Sequence, residues 1–305
     1  MSAVQAARIG LSRRRRLALE PWLYAAPAIV LIATIMLLPL VIGISYAFRD
    51  IILLNPFSGG FVGLDHFREL RSDASFWNAL HNTLVWTVVS VVLQFLFGLF
   101  LALLLNRPFP GRGIVQALVF LPWAVPSFLS GLNWAWLFNP LVGPLPHWAV
   151  ALGLADTPQN ILSSPDYALW GPVTANVWWG IPFFAITLLA ALQSIPKDIY
   201  EAAEIDGASV FQRFFSITLP FLAPTVAITV MLRAVWIANA ADLIWVMTRG
   251  GPADSTQIVA TYIFAQAFQR LDFGYASAIA TLLLVLLLAY ALSVMALRQL
   301  LVQRG

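Results

Sequence analysis

Arg233, Trp236, Asn239 and Asp242 are the residues of this 305-residue chain best placed for chemistry, and that chemistry is non-covalent recognition. They recur at three-residue spacing inside an apolar run, where an ionisable group is costly unless it is paired or faces water. A guanidinium donates hydrogen bonds, an indole stacks, and an amide both donates and accepts. On one continuous helix, nine residues at about 100° each put Asp242 opposite Arg233, about 13.5 Å along the axis. An intrahelical ion pair is therefore not expected. The face of Arg233 continues through Trp236, Ile237 and Ala240, while Asn239 and Asp242 share the adjoining arc. Two roles stay open for Arg233: contact with a solute in a cavity, or a permanent tie to a carbonyl or a neighbouring subunit.

Covalent and metal chemistry have no comparable support. The chain has no cysteine, which removes disulfides, thiolate catalysis and cysteine-based metal sites. His66, His81 and His147 are scattered without metal-ligand spacing. The acidic residues form no catalytic constellation, so a membrane-embedded glycosyltransferase or protease lacks its clustered Asp, His or Ser. Lys197 is the only lysine and follows Pro196. A P-loop needs a Gly-Lys pair to cradle phosphates, so this chain is not a P-loop ATPase. It is read as non-enzymatic, with no metal, no cofactor of its own and no nucleic-acid partner.

The elements that must position these residues are membrane spans. Hydrophobic residues make up 60% of the chain, charged residues 10%, and the mean hydropathy is +0.83. A soluble domain carries about 25% charged residues. Apolar runs near 22–47, 79–105, 113–138, 170–192, 221–247 and 275–300 each exceed the roughly 20 residues a helix needs to cross a bilayer. The expected fold is all-α, with six crossings over 22–300 and both termini on one side. Arg13–Arg16 precede a first run too long for a signal peptide, so 1–21 is read as a cytoplasmic segment before an uncleaved span. That orientation puts 11 basic residues inside and 5 outside, with Arg233 in a span, in accord with the positive-inside rule. Prolines within the spans suggest kinked helices around a cavity. The segments 48–78, 139–169 and 248–274 would form an outer rim.

One polar break carries a spaced motif. Glu201-Ala202-Ala203 is followed by Gly207, four residues after the second Ala, and by Ile217, Leu219 and Pro220, starting ten residues beyond the Gly. This pattern closely resembles the EAA loop of permease subunits in binding-protein-dependent ABC importers. Val62-Gly-Leu-Asp-His-Phe67, Leu105-Asn-Arg-Pro108, Thr248-Arg-Gly-Gly-Pro252 and Phe273-Gly-Tyr-Ala276 resemble its carbohydrate-uptake branch, and the first-named permease of the pair. The usual L-T-x-G-G-P reads M-T-R-G-G-P here, and His66 stands where Tyr is usual.

The resemblance implies a type I importer permease in the bacterial inner membrane. It would pair with a second homologous permease, two ATPase subunits that bind ATP and Mg, and an extracytoplasmic solute-binding protein. The loop 195–220 would couple to the ATPase, with Glu201 and Asp206 offering charge, Ala202 and Ala203 a small contact face, and Gly207 a tight turn. Ile217, Leu219 and Pro220 would lead back into the membrane. The span also resembles the sugar-permease pattern R-x-x-W-x-x-N-x-x-D. Trp236 would then stack on a pyranose while Arg233 and Asn239 bond hydroxyls, beside an apolar Ala240. The expected solute is a sugar or sugar derivative, with glycerol-3-phosphate or another anionic sugar-like solute as the alternative. A secondary carrier is the remote rival; only Arg233 fits its need for a midplane ionisable site.

Overall fold

The computed structural model describes residues 20–22 and 24–302, with side chains through residue 298. Arg8, Arg13–Arg16 and Arg304, and with them most of the expected 1–21 segment, lie outside the described residues. Among the described residues, five helices are long and apolar enough to cross a bilayer: α1 (Tyr24–Tyr46), α3 (Ala74–Leu105), α7 (Trp170–Gln193), a run over Val210–Met247 and α12 (Phe273–Val302). Short α2 (Asp65–Ser72) precedes α3, and α6 (Pro144–Ala151) precedes α7. The expected single span over 113–138 is instead a pair, α4 (Arg112–Ala124) and α5 (Ser127–Leu137), bent by 95°. The cause is Pro126, which pushes the preceding residue out of the helical region. Val125 is accordingly extended, at φ −83° and ψ 129°.

The fifth run is also interrupted. α9 (Leu219–Asn239) stops where Ala240 becomes extended, and α10 (Asp242–Met247) follows. No proline marks this break. Pro182 and Pro224 sit inside helices that continue past them, so proline alone does not locate the interruptions.

The long helices α3 and α7 form the central packed pair. Gly98 makes this possible, because a Cβ there would overlap Phe184. Small residues let membrane helices approach closely where no hydrophobic force drives them together. The main core spans α3, α7, α9 and α10, with Trp86, Phe184, Leu188, Leu222, Ile237 and Ile244 all buried.

A second core joins α2, the start of α3, α12 and a further helix, α11 (Val259–Phe268). Residues 248–274 were expected to be an outer rim, yet Val259 and Tyr262 are buried. The run Ile258-Val-Ala-Thr-Tyr-Ile-Phe-Ala265 is apolar enough to pack, and too short to span a bilayer. Asp73 ties this core together as the N-cap of α3. One carboxylate oxygen accepts from the Ser75 and Phe76 backbone N–H groups at 2.9 and 3.2 Å. The other accepts from the Tyr262 and Tyr275 hydroxyls at 2.7 and 2.6 Å. Burial alone would raise the Asp73 pKa, but the four hydrogen bonds outweigh it and hold the carboxyl below its usual range.

Candidate functional site

Two regions at opposite ends of α9 bring the sequence-singled residues together. At its start, the segment carrying the Glu201 motif forms α8 (Lys197–Ile205). Gly207 adopts a left-handed φ of 77°, and the N–H groups of Gly207 and Ala208 close on Glu204 O and Ala203 O. This is the glycine-terminated helix end that a residue with a Cβ adopts only with strain. Ser209 then caps the next turn through a reciprocal pair with Gln212. A π-turn over Phe214–Thr218 leads into α9, so Ile217 precedes the helix while Leu219 and Pro220 open it. Glu201, Ala202, Ile205, Asp206 and Gly207 are exposed, and Ala203 is half-buried.

At the far end of α9, a cavity of about 190 Å³ opens between α3, α5, α7, α9 and α10. Its walls include Trp86, Asn176, Trp179, Arg233, Trp236 and Ala240, with Ser127 and Asp242 at the two helix breaks. At each break a backbone carbonyl is met by an indole from a neighbouring helix. Trp179 Nε1 donates to Val125 O at 2.8 Å, and Trp86 Nε1 donates to Ile237 O at 2.9 Å. Such pairing is what permits interrupted helices at membrane depth. The Ser127 hydroxyl donates to the Asp242 carboxylate, joining the two breaks. Asp242 therefore faces the same cavity as Arg233. The opposite-face expectation assumed one continuous helix, and the break at Ala240 removes that assumption. The two residues still form no ion pair; the ion pairs among the described residues are Arg68–Asp65 and Arg213–Glu204.

Arg233 is 2% exposed, and its Nε donates to Gln94 Oε1 at 2.7 Å. Gln94 Nε2 in turn donates to Asn176 O at 2.9 Å, so three helices meet through one guanidinium. The guanidinium carbon lies 5.1 Å from the Trp179 ring centre and 5.8 Å from that of Phe183, within cation–π range. Gly180 leaves the room, since a Cβ there would overlap both Arg233 Nη2 and the Gln94 amide. Arg233 Nη2 and Asn176 Nδ2 have no protein partner. Of the two roles left open by sequence, this geometry is that of a tie.

Trp236 is different. It is 49% exposed, packs its ring 5.4 Å from Phe183 and lines the cavity. Asn239 is exposed, donates to Val235 O and is not among the cavity-lining residues. Sequence reading did not single out Gln94, Asn176 or Ser127, and it took Trp179 for a member of an interfacial aromatic belt. The signal for the first two was present, as amides inside apolar runs. A larger groove of about 590 Å³ lies between α3, α9 and α12, but its lining is almost wholly apolar and offers no recognition chemistry.

A bundle of apolar crossings with an exposed helical loop at one end and a polar, aromatic cavity within defines a membrane transport component. Residues 94–304 match the model of the binding-protein-dependent transport system inner membrane component, and the chain belongs to that family. Over 232 residues it is 40% identical to the trehalose/maltose transport system permease protein MalF of Thermococcus litoralis, covering 76% of this chain and 78% of that one. The fold superposes at a TM-score of 0.80, with 26% identity, on a bacterial ABC transporter involved in the import of the acidic polysaccharide alginate; 96% of this chain and 98% of the other are covered. A bacterial alginate ABC transporter in complex with alginate pentasaccharide-bound periplasmic protein gives 0.79 at 26% identity, covering 94% and 96%. The chain is thus a multi-pass ABC importer permease of the type I fold.

Proposed function

We propose that this chain forms half of the translocation pathway of an ATP-driven importer for a sugar or sugar derivative. The observation that carries the solute class is the extensive identity to a trehalose/maltose permease. A half-exposed indole beside a cavity with donors and a carboxylate fits polyhydroxyl recognition. A second permease would complete the pathway, and a binding protein would deliver the solute, as the alginate complex supports. Two ATPase subunits would bind ATP and Mg²⁺, and this chain would be non-catalytic. α8 would meet an ATPase through Glu201, Ala202, Asp206 and Gly207, which requires 195–220 and both termini to be cytoplasmic in a bacterial inner membrane.

The test is Gly207→Asp in the assembled importer, which strains the left-handed turn and adds charge to the docking face. Uptake of radiolabelled trehalose, maltose and alginate oligosaccharides is followed in proteoliposomes with the cognate binding protein. The parent is expected to accumulate at least one of them with ATP, and the variant to lose uptake and release its ATPase. Full uptake by the variant with ATPase retained would overturn the docking assignment. Failure of the parent on all three would overturn the solute class.

A further inference from the structure

Between α8 and α9 the chain passes through Gly207 and Ala208, a turn whose glycine carries no side chain to stiffen it. Motion imposed on the exposed face of α8 would be absorbed there unless something bridges the turn. Two side-chain contacts do. The Tyr200 hydroxyl and Thr218 Oγ1 lie 2.9 Å apart, with Thr218 only 5% exposed. Thr218 Oγ1 also lies 3.4 Å from Arg213 O, to which it donates, so the Tyr200 hydroxyl is the donor of the first pair. Arg213 Nη1 meets Glu204 Oε1 at 2.5 Å, from the turn before the π-helix back to the last turn of α8.

We propose that Tyr200–Thr218 and Glu204–Arg213 are a clamp that makes the coupling helix and the base of α9 one body. Neither Tyr200, Thr218 nor Arg213 belongs to the motif that identifies the loop. The clamp rests on the docking reading above, and it adds how displacement of α8 reaches the cavity. From Thr218 to Trp236 the helical rise is about 27 Å, so a rigid base turns a small displacement at α8 into motion of the cavity wall. The hydroxyl pair is the stronger of the two, because it is shielded from solvent. The ion pair is screened, with the Glu204 side chain 65% exposed. The π-turn between them is a geometry that recurs at functional sites. These are positioning residues, since none lines the cavity.

This chain has no cysteine, which allows a direct test in the complete importer assembled with cysteine-free partner subunits. Spin labels are placed at Ile205→Cys on α8 and Phe221→Cys on α9, both exposed positions. Their separation is measured by double electron–electron resonance without nucleotide and after trapping with MgATP and vanadate. The parent should give one narrow distribution common to both states. Tyr200→Phe with Glu204→Ala should at least double its width and make the two states differ. Thr218→Val, of nearly equal volume, should do the same with Glu204→Ala, and the charge swap E204R/R213E should restore the narrow form. Narrow, superimposable distributions in the Tyr200→Phe/Glu204→Ala protein would overturn the clamp, as would a parent whose separation itself changes. Ala202→Glu, on the exposed face of α8, separates this from failure of the docking reading. It should strip the ATPase; a retained ATPase would overturn docking, whereas the label distances judge the clamp.

Discussion

Arg233 and Gln94 are joined by a 2.7 Å hydrogen bond that fixes a guanidinium in the packed interior without a carboxylate beside it. Two aromatic faces and one neutral acceptor carry the charge. Removing the acceptor leaves the desolvation cost with nothing to offset it. Gln94→Leu should therefore destabilise the purified subunit by about 2 kcal/mol, the range for hydrogen bonds to charged groups. Replacing both partners, Gln94→Leu with Arg233→Met, should recover most of that loss, because a buried polar pair can often be exchanged for apolar packing. Thermal midpoints of the two singles and the double give the coupling. Additive losses would show that the bond contributes nothing.

The Asp73 carboxylate has a pH-dependent counterpart. Its pKa in the folded chain is depressed below the ordinary value, despite burial, by hydrogen bonds from Tyr262, Tyr275 and two backbone N–H groups. A depressed carboxyl stabilises the fold above its unfolded pKa, about 4. That contribution is lost as pH falls through the lower, folded value. The thermal midpoint of the parent should thus drop as pH is lowered below about 4. Asp73→Asn should start lower at neutral pH and show a shallower drop. Parallel curves for the two proteins would refute the assignment.

Orientation is tested by labelling in intact cells. Asp156→Cys lies on an exposed connecting segment and Ser209→Cys on the exposed loop after α8, with no native cysteine as background. An impermeant maleimide should modify the first from outside and reach the second only after permeabilisation. The reverse pattern would place α8 where no cytoplasmic ATPase can meet it.

The crossings were legible because about 20 consecutive apolar residues have few alternatives to a membrane helix. The tight turn at Gly207 was legible because its glycine stands at a fixed distance from Glu201. What sequence could not supply were the breaks and the partnerships across them. Pro126 hinted at a bend but gave no angle, and Asn239-Ala-Ala-Asp242 reads as ordinary helix. Extrapolating helical faces through that point separated Asp242 from Arg233, although both line one cavity. Gln94 stands 139 positions before Arg233, and no periodicity connects them. The helix Val259–Phe268 was hidden by the glycine- and proline-rich residues before it.

Trp236 and Arg233 lie one helical turn apart, yet the structure predicts different phenotypes for their loss. Trp236 is half-exposed and packs on one side against Phe183. Trp236→Ala should leave the subunit assembled with its partners, with a thermal midpoint within a few degrees of the parent, while uptake falls at least tenfold. Solute affinity of the isolated binding protein is unaffected, because that step precedes the permease. Arg233→Ala, by contrast, removes the group at which α3, α7 and α9 meet, and it opens a void beside Gly180. It should lower the midpoint and the yield of assembled complex together with uptake. Arg233→Lys keeps the charge but cannot reproduce the planar donor set against Gln94 and the Trp179 face, so it should recover assembly only in part. Assembly yield and midpoint, measured beside uptake, separate the two roles. A stable, fully assembled Arg233→Ala subunit that does not transport would move Arg233 from the packing of the bundle to contact with the solute. A Trp236→Ala subunit with parental uptake would remove the indole from the pathway.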